Sequence, residues 1–336
     1  MATSIGGFFE LESNISSPTS NINSVFRNWI GTKNFVMFSS ARSIVLALKE
    51  ELNSKTVWVP EIFCNVFNDY NFVKNYPLEK NGFNPEIDFL ESNISEGDLV
   101  LLVDFYGVEV GCEFRDYAMS RKSIFWLQDA CHNLLPSETW TDFTLFSPRK
   151  LFGVTDGGVL VQNNEKMSQI DFSRWKFDQG DLVGSISPIL RRIDPHYEGL
   201  YQIYSKEENS IDGRLKSISE LTKWQLNNIE IQPFIERRKN NFSALDKELH
   251  EYLIPNLEYR ENFIPFGFPI YIENRDEIRL KMAKMKIFAP IHWINDRRTK
   301  SLRQLQHESM QLTLPCDHRY TVDEMANIAK IVKELI

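Results

Sequence analysis

Leu99-Val100-Leu101-Leu102-Val103-Asp104 and Ser123-Ile124-Phe125-Trp126-Leu127-Gln128-Asp129 decide the fold class. Neither run alternates between apolar and polar residues. A strand with one wet face would alternate, so each run suits a strand buried on both faces of a parallel sheet. Each run ends in an acid. Around them lie stretches of helical character, 87–94 and 114–121. Strand–helix alternation of this kind predicts an α/β fold with right-handed crossovers. Ligands of such sheets bind outside the carboxyl ends of the strands, which is where Asp104 and Asp129 fall.

Upstream, Thr56-Val57-Trp58-Val59-Pro60 is a β-branched run stopped by proline, hence a strand and a turn. Val36-Met37-Phe38 is a short apolar run, followed by Ser39-Ser40-Ala41-Arg42-Ser43 and then helix formers over 44–50. Hydroxyl residues before a helix are N-cap chemistry. The same place can hold an anion, because free N–H groups and the helix dipole meet there. Residues 13–24, rich in Ser and Asn, read as a loop. Downstream, 219–253 reads as one long helix, with Arg237-Arg238-Lys239 on a solvated face. A strand over 269–272, a helix over 276–286 and a strand over 287–293, broken by Pro290, follow. Thr321 and Glu324 form a capping box for a last helix. The expected division is a large α/β domain over 1–218 and a small C-terminal α+β domain over 219–336.

The 336 residues carry a net charge of -8, against the broad basic face of a sequence-independent nucleic-acid binder. No run approaches the roughly 18 apolar residues of a membrane span. Residues 1–14 show neither a basic n-region nor an apolar h-region, so a cytoplasmic protein is expected. The four cysteines form no C-x-x-C pair, and no His stands at zinc-ligand spacing from them. They read as reduced, partly buried thiols, and no metal is expected.

Three patterns can carry chemistry. The first is the hydroxyl-rich helix start at 39–43. The second is Gln128-Asp129-Ala130-Cys131-His132, which fits an acid–base pair, a cofactor anchor, or a helix-capping Asp beside a packed His. The third is Phe146-Ser147-Pro148-Arg149-Lys150-Leu151-Phe152-Gly153, leading to Asp156-Gly157-Gly158 and an apolar strand. A lysine in an apolar, desolvated setting can form a covalent bond with a carbonyl cofactor. Most of the 38 basic residues are plain surface charge. The combination and order of the three patterns set Lys150 apart.

With these residues the chain resembles the DegT/DnrJ/StrS sugar aminotransferases, which are fold-type-I pyridoxal-phosphate enzymes. The resemblance runs from Gly6-Gly7-Phe8-Phe9-Glu10-Leu11-Glu12 through Ser40-Ala41-Arg42, Val59-Pro60 and Asp104-Phe105-Tyr106-Gly107. It continues through the Asp129 segment, the lysine loop, and Arg237-Arg238-Lys239-Asn240-Asn241-Phe242. Phe266-Gly267-Phe268-Pro269-Ile270, Ile291-His292-Trp293 and Leu314-Pro315 complete it. It implies a mostly parallel, mixed seven-stranded sheet in the large domain. It also implies that Lys150 holds pyridoxal 5'-phosphate, that Asp129 pairs with the ring nitrogen, and that His132 lies near the ring's 3-oxygen. Ser40, Ala41 and Arg42 match the turn that holds the phosphate.

The sequence departs from the family at several points. Ala41 stands where the family has Gly. Leu145 occupies the usual position of a phosphate-binding Ser, and of the nearest hydroxyls, Thr144 and Ser147, Ser147 is preferred. Cys64 takes the place of the aromatic that stacks on the ring. The family's Asn-Tyr-Arg segment has no counterpart near Asp212-Gly213-Arg214. The implied activity is transfer of an amino group from an amino acid, glutamate by resemblance, to a nucleotide-linked keto-sugar by a homodimer. The rival readings are a non-catalytic or regulatory relative, and a dehydratase of keto-sugars. Relatives of the latter kind replace the lysine with His, so Lys150 argues against it.

Overall fold

A computed structural model describes residues 5–7, 9–12, 24–136, 140–163, 169–180, 182–193, 199, 202–203, 206, 214–255, 257, 262–295 and 300–336. Residues 13–23 of the loop expected over 13–24, Phe8 of the first motif, and Asp212 and Gly213 lie outside these residues. The described chain forms strands β1 (Ile5–Gly6), β2 (Asn34–Phe38), β3 (Val57–Pro60), β4 (Val73–Tyr76), β5 (Leu99–Val103) and β6 (Phe125–Asp129). It continues with β7 (Phe143–Phe146), β8 (Gly158–Gln162), β9 (Phe268–Tyr271), β10 (Ile287–Phe288) and β11 (Gln311–Leu314).

All five residues of β5 are buried, as a run without alternation demands. It lies inside a seven-stranded sheet of order β2-β8-β7-β6-β5-β3-β4. Strands β3 to β7 run parallel, and β8 is antiparallel to both β7 and β2. This is the expected mixed, mostly parallel sheet. Helix Ala41–Glu51 turns Ile44, Val45 and Leu48 onto it. In the parallel register Val103 faces Asp129, and Asp129 faces Leu145, so the carboxyl ends of the central strands form one ledge.

The antiparallel pair β9 and β11 carries a second core. Helices Gln232–Leu249, Arg275–Lys284 and Val322–Leu335 cover it with Leu245, Ile278, Met282, Ile328 and Val332. Thr321 and Glu324 close the expected capping box. Ile5 joins this core, because β1 pairs in parallel with β10. A third cluster joins Trp29, Phe146 and Phe152 to Leu226, Ile229 and Phe234.

Four expectations fail. The long helix is two, Glu220–Asn228 and Gln232–Leu249. Pro233, which has no N–H to give, sits in the first turn of the second, where a proline is tolerated. The basic run on that helix is not wholly solvated, because Arg238 is 1% exposed. The strand over 287–293 shrinks to Ile287–Phe288, since Pro290 cannot continue a ladder. Of the four free thiols, Cys64 is half-buried, Cys131 and Cys316 are buried, and Cys112 is exposed at the start of a surface helix rather than partly buried. Among the described residues, no helix is long and apolar enough to cross a membrane.

Candidate active site

The helix Ala41–Glu51 begins at the open end of the sheet. Ser40, extended at φ -147, caps it by accepting from the Arg42 N–H at 3.5 Å. The first N–H groups of a helix have no carbonyl partner within it, which is what makes such a start suited to an anion. Gly158 explains how this turn comes so close to β8. A Cβ there would lie 2.3 Å from Phe38 Cε2 and 2.8 Å from the Ala41 nitrogen. The preceding Gly157 has φ +127 and donates its N–H to the Ser39 carbonyl at 2.7 Å. A Cβ at Gly157 would lie 2.6 Å from Pro148 Cγ, in the lysine loop. The glycine pair thus holds the helix start and the lysine loop on neighbouring sides of one strand.

Asp156, just before, is an anchor rather than a site residue. Its carboxylate accepts from the Ser219 N–H at 2.8 Å, the Ser219 hydroxyl at 2.7 Å and the Thr222 hydroxyl at 2.5 Å. It thereby pins the start of helix Glu220–Asn228 to the loop. Arg238 pins the other side. From its buried place it donates to the carbonyls of Leu151 at 2.9 Å and of Pro265 and Phe266 at 3.2 Å. Its side chain ties the residue after Lys150 to the segment that leads into β9.

Asp129 ends β6, and its Oδ1 accepts the Cys131 N–H at 3.1 Å. His132 is 3% exposed. The ring of Phe266 stacks on it at 3.9 Å, and that of Trp293 at 5.1 Å. Burial first, then the charge of Lys150 and the neighbouring His292, push the His132 imidazole well below its ordinary value. Its Nε2 lies 3.5 Å from Lys150 Nζ, and its buried Nδ1 has no partner among the described residues. Asp104, also at a strand end, turns away from the cavity. Gln128 and Asn133 each donate to it at 2.9 Å, while burial and Glu109 hold its carboxyl well above the usual range.

A cavity of about 900 Å³ opens over this ledge. Ser40, Ala41 and Arg42 line it from the helix start, and Asp129 and His132 from the end of β6. Ser147 and Lys150 line it from the lysine loop, and Cys64 from the turn after β3. All eight residues singled out in the sequence thus meet in one place. Thr144, the other hydroxyl considered, is wholly buried and bonded to Gln128 and Asn163, away from the cavity. Burial raises the Cys64 thiol, against the opposing charge of Lys150. Lys150 itself is exposed within the open cavity, so the protein alone does not supply the expected desolvation. The sequence does not place Phe266, His292 and Trp293 in the site, although the resemblance covers their motifs. All three line the same cavity.

No protein-family model matches the sequence, and no curated protein does. Solved structures match over nearly the whole chain. One is Spr1654 from Streptococcus pneumoniae, described as a sugar aminotransferase and solved in its PMP-form. It is 16% identical, with TM-score 0.67, covering 96% of this chain and 93% of that one. The architecture is that of fold type I. A DegT DnrJ EryC1 StrS aminotransferase from Brucella abortus gives TM-score 0.63 at 12% identity, over 96% of this chain and 91% of its own. GDP-4-keto-6-deoxymannose-3-dehydratase (ColD) with bound GDP-perosamine gives 0.63 at 15%, over 91% and 90%. At these identities the likeness is one of fold.

Proposed function

We propose that the protein is a pyridoxal-phosphate-dependent aminotransferase of the DegT/DnrJ/StrS kind, which moves an amino group from glutamate to a nucleotide-linked keto-sugar. One observation carries the reading. A lysine, a strand-end acid and a helix N-terminus converge on one cavity, in a chain whose fold matches sugar aminotransferases.

The residues present fit the cofactor. The Ala41 N–H lies where only a glycine opposite leaves room, and His132 Nδ1 is buried without a partner. Ser40, Ala41, Arg42 and Ser147 would hold the phosphate, and Cys64 would lie against the ring. Bound there, pyridoxal phosphate supplies an electron-withdrawing ring that stabilises charge on the substrate carbon. Asp129 would keep the ring nitrogen protonated, because a carboxylate favours the charged form of a nearby base. His132 would hold the ring's 3-oxygen. Lys150, when its amine is free, takes a proton from the donor α-carbon and returns one to the product side, acting as base and then acid. Phe266 and Trp293 limit water at that end of the cavity.

The dehydratase ColD shares the fold. Lys150 weighs against that chemistry here, since keto-sugar dehydratases of this family carry His at the lysine position. We also infer a cytoplasmic homodimer, divided into domains at 1–218 and 219–336. The test is borohydride reduction of protein loaded with pyridoxal phosphate, followed by peptide mapping. A phosphopyridoxyl mass on the Lys150 peptide is expected. Label on another lysine, or none, would refute the assignment. Glutamate-driven amination of keto-sugar nucleotides, read by mass spectrometry, separates transfer from dehydration.

A further inference from the structure

His292 lies on the cavity wall, and the wall behind it fixes which ring nitrogen carries the proton. The His292 backbone N–H donates to Gln311 Oε1 at 2.5 Å. That contact sets the amide of Gln311, which is fully buried. Its Nε2 therefore faces Thr313 and donates to the hydroxyl oxygen at 2.7 Å. Thr313, 2% exposed, has its own hydroxyl proton left, and His292 Nδ1 stands 2.8 Å away. Since buried polar groups pair donor with acceptor, the hydroxyl donates and Nδ1 accepts. The ring proton is then on Nε2. That atom has no hydrogen-bond partner among the described residues, and it is not among the buried orphans. It is open to the cavity that His292 lines.

His307 is locked in the same sense. Its Nε2 donates to the His292 carbonyl at 2.5 Å, and its Nδ1 accepts from the Tyr271 hydroxyl at 2.7 Å. It braces the His292 backbone from behind. Burial, Lys150 and His307 also hold the His292 ring at about 3, so it is uncharged at neutral pH. The ring lies 5.0 Å from that of His132 and within the field of Lys150. At this point on the wall His292 offers an N–H without a partner among the described residues, which suits an oxygen that accepts. A carboxylate is such a group, whereas a hydroxyl also needs somewhere to donate.

We propose that His292 donates its Nε2–H to a carboxylate oxygen of the amino-acid donor, and that Gln311 and Thr313 are positioning residues that lock the tautomer. The inference rests on the aminotransferase reading for its ligand, but not for its tautomer.

Nitrogen NMR of the full-length protein tests the lock. Nδ1 of His292 should resonate as a hydrogen-bonded, unprotonated nitrogen and Nε2 as a protonated one, assigned by their loss in His292→Gln. Thr313→Val should shift Nδ1 to an unbonded value, and Thr313→Ser should restore it. A protonated Nδ1 in the wild type, or shifts untouched by Thr313→Val, overturns the lock. With pyridoxal phosphate loaded, His292→Phe should raise KM for glutamate about tenfold or more, as loss of one hydrogen bond to a charged group does. In that variant kcat should change far less. His292→Gln, which keeps a donor, should recover most of the loss. Unchanged KM in His292→Phe overturns the carboxylate role. A wild type that does not exchange with glutamate counts against the functional reading, while the nitrogen shifts still decide the lock.

Discussion

Gly158→Ala is a substitution whose cost can be worked from the space around it. The backbone at Gly158 is not in the left-handed region, so alanine meets no conformational penalty there. The penalty is steric. The new methyl would stand 2.3 Å from Phe38 Cε2, 2.8 Å from the Ala41 nitrogen and 3.0 Å from the Ala41 Cα. The Phe38 ring is fully buried and cannot swing into solvent, and backbone atoms cannot rotate away. Two contacts under 3.0 Å put the cost near the upper end for overpacking, about 3 kcal/mol. The relief available is for the helix start to back away from β8, which carries the Ala41 N–H away from the cavity. Urea unfolding should therefore show a lower midpoint, and titration with pyridoxal phosphate should show weaker binding. Adding Phe38→Leu should recover part of the stability, with a coupling of about 1 kcal/mol or more between the two positions. Stability and cofactor affinity both at wild-type level in Gly158→Ala would refute this account of the glycine.

Other expectations follow from single contacts. Asp129→Asn keeps an oxygen for the Cys131 N–H, so fold and cofactor binding should persist. Amino-group exchange should nevertheless slow by about a hundredfold or more in stopped-flow absorbance. Asp156→Ala removes the carboxylate that holds Ser219, the N-cap of helix Glu220–Asn228, and strands the Ser219 N–H, which should cost about 2 kcal/mol in chemical denaturation. His307 sits at about 4 in the folded chain against about 6.5 unfolded. Between those values only the unfolded chain takes the proton, so stability falls as pH drops from about 6.5 to 4, by up to about 3 kcal/mol. His307→Asn should flatten that part of the stability–pH curve, and an unchanged slope would contradict it. Light scattering at micromolar concentration should give a dimer mass.

What the sequence disclosed followed the range of its signals. β5 and β6 were legible because burial on both faces removes alternation, and the register then fixed where Asp129 would stand. The Lys150 loop and the 39–43 turn were legible because each is a local motif. Arg238 was misread, since a basic run on a helix says nothing about the carbonyls of Leu151 and Phe266, far along the chain, that need its donors. The break before Gln232 was missed because Pro233 was counted inside a helix rather than at a new start. The roles of Gln311 and Thr313 come from a neighbour some twenty residues away in sequence, through side-chain contacts no periodicity reveals. Thr144 and Ser147 were separated only once β7 had fixed which of them faces the cavity.

Among the described residues, the edge strand β2 has β8 as its sole neighbour in the sheet. The turn at 39–41 therefore has no fixed place until β8, more than a hundred residues later, inserts between β2 and β7. Such a distant pairing is slow to close, because the loop entropy is spent before any contact rewards it. During synthesis, the anion-holding helix start emerges first but stays unmoored until Gly158–Gln162 has left the ribosome. Completion of the cavity is thus a late event in the life of the nascent chain, gated by the arrival of a single strand.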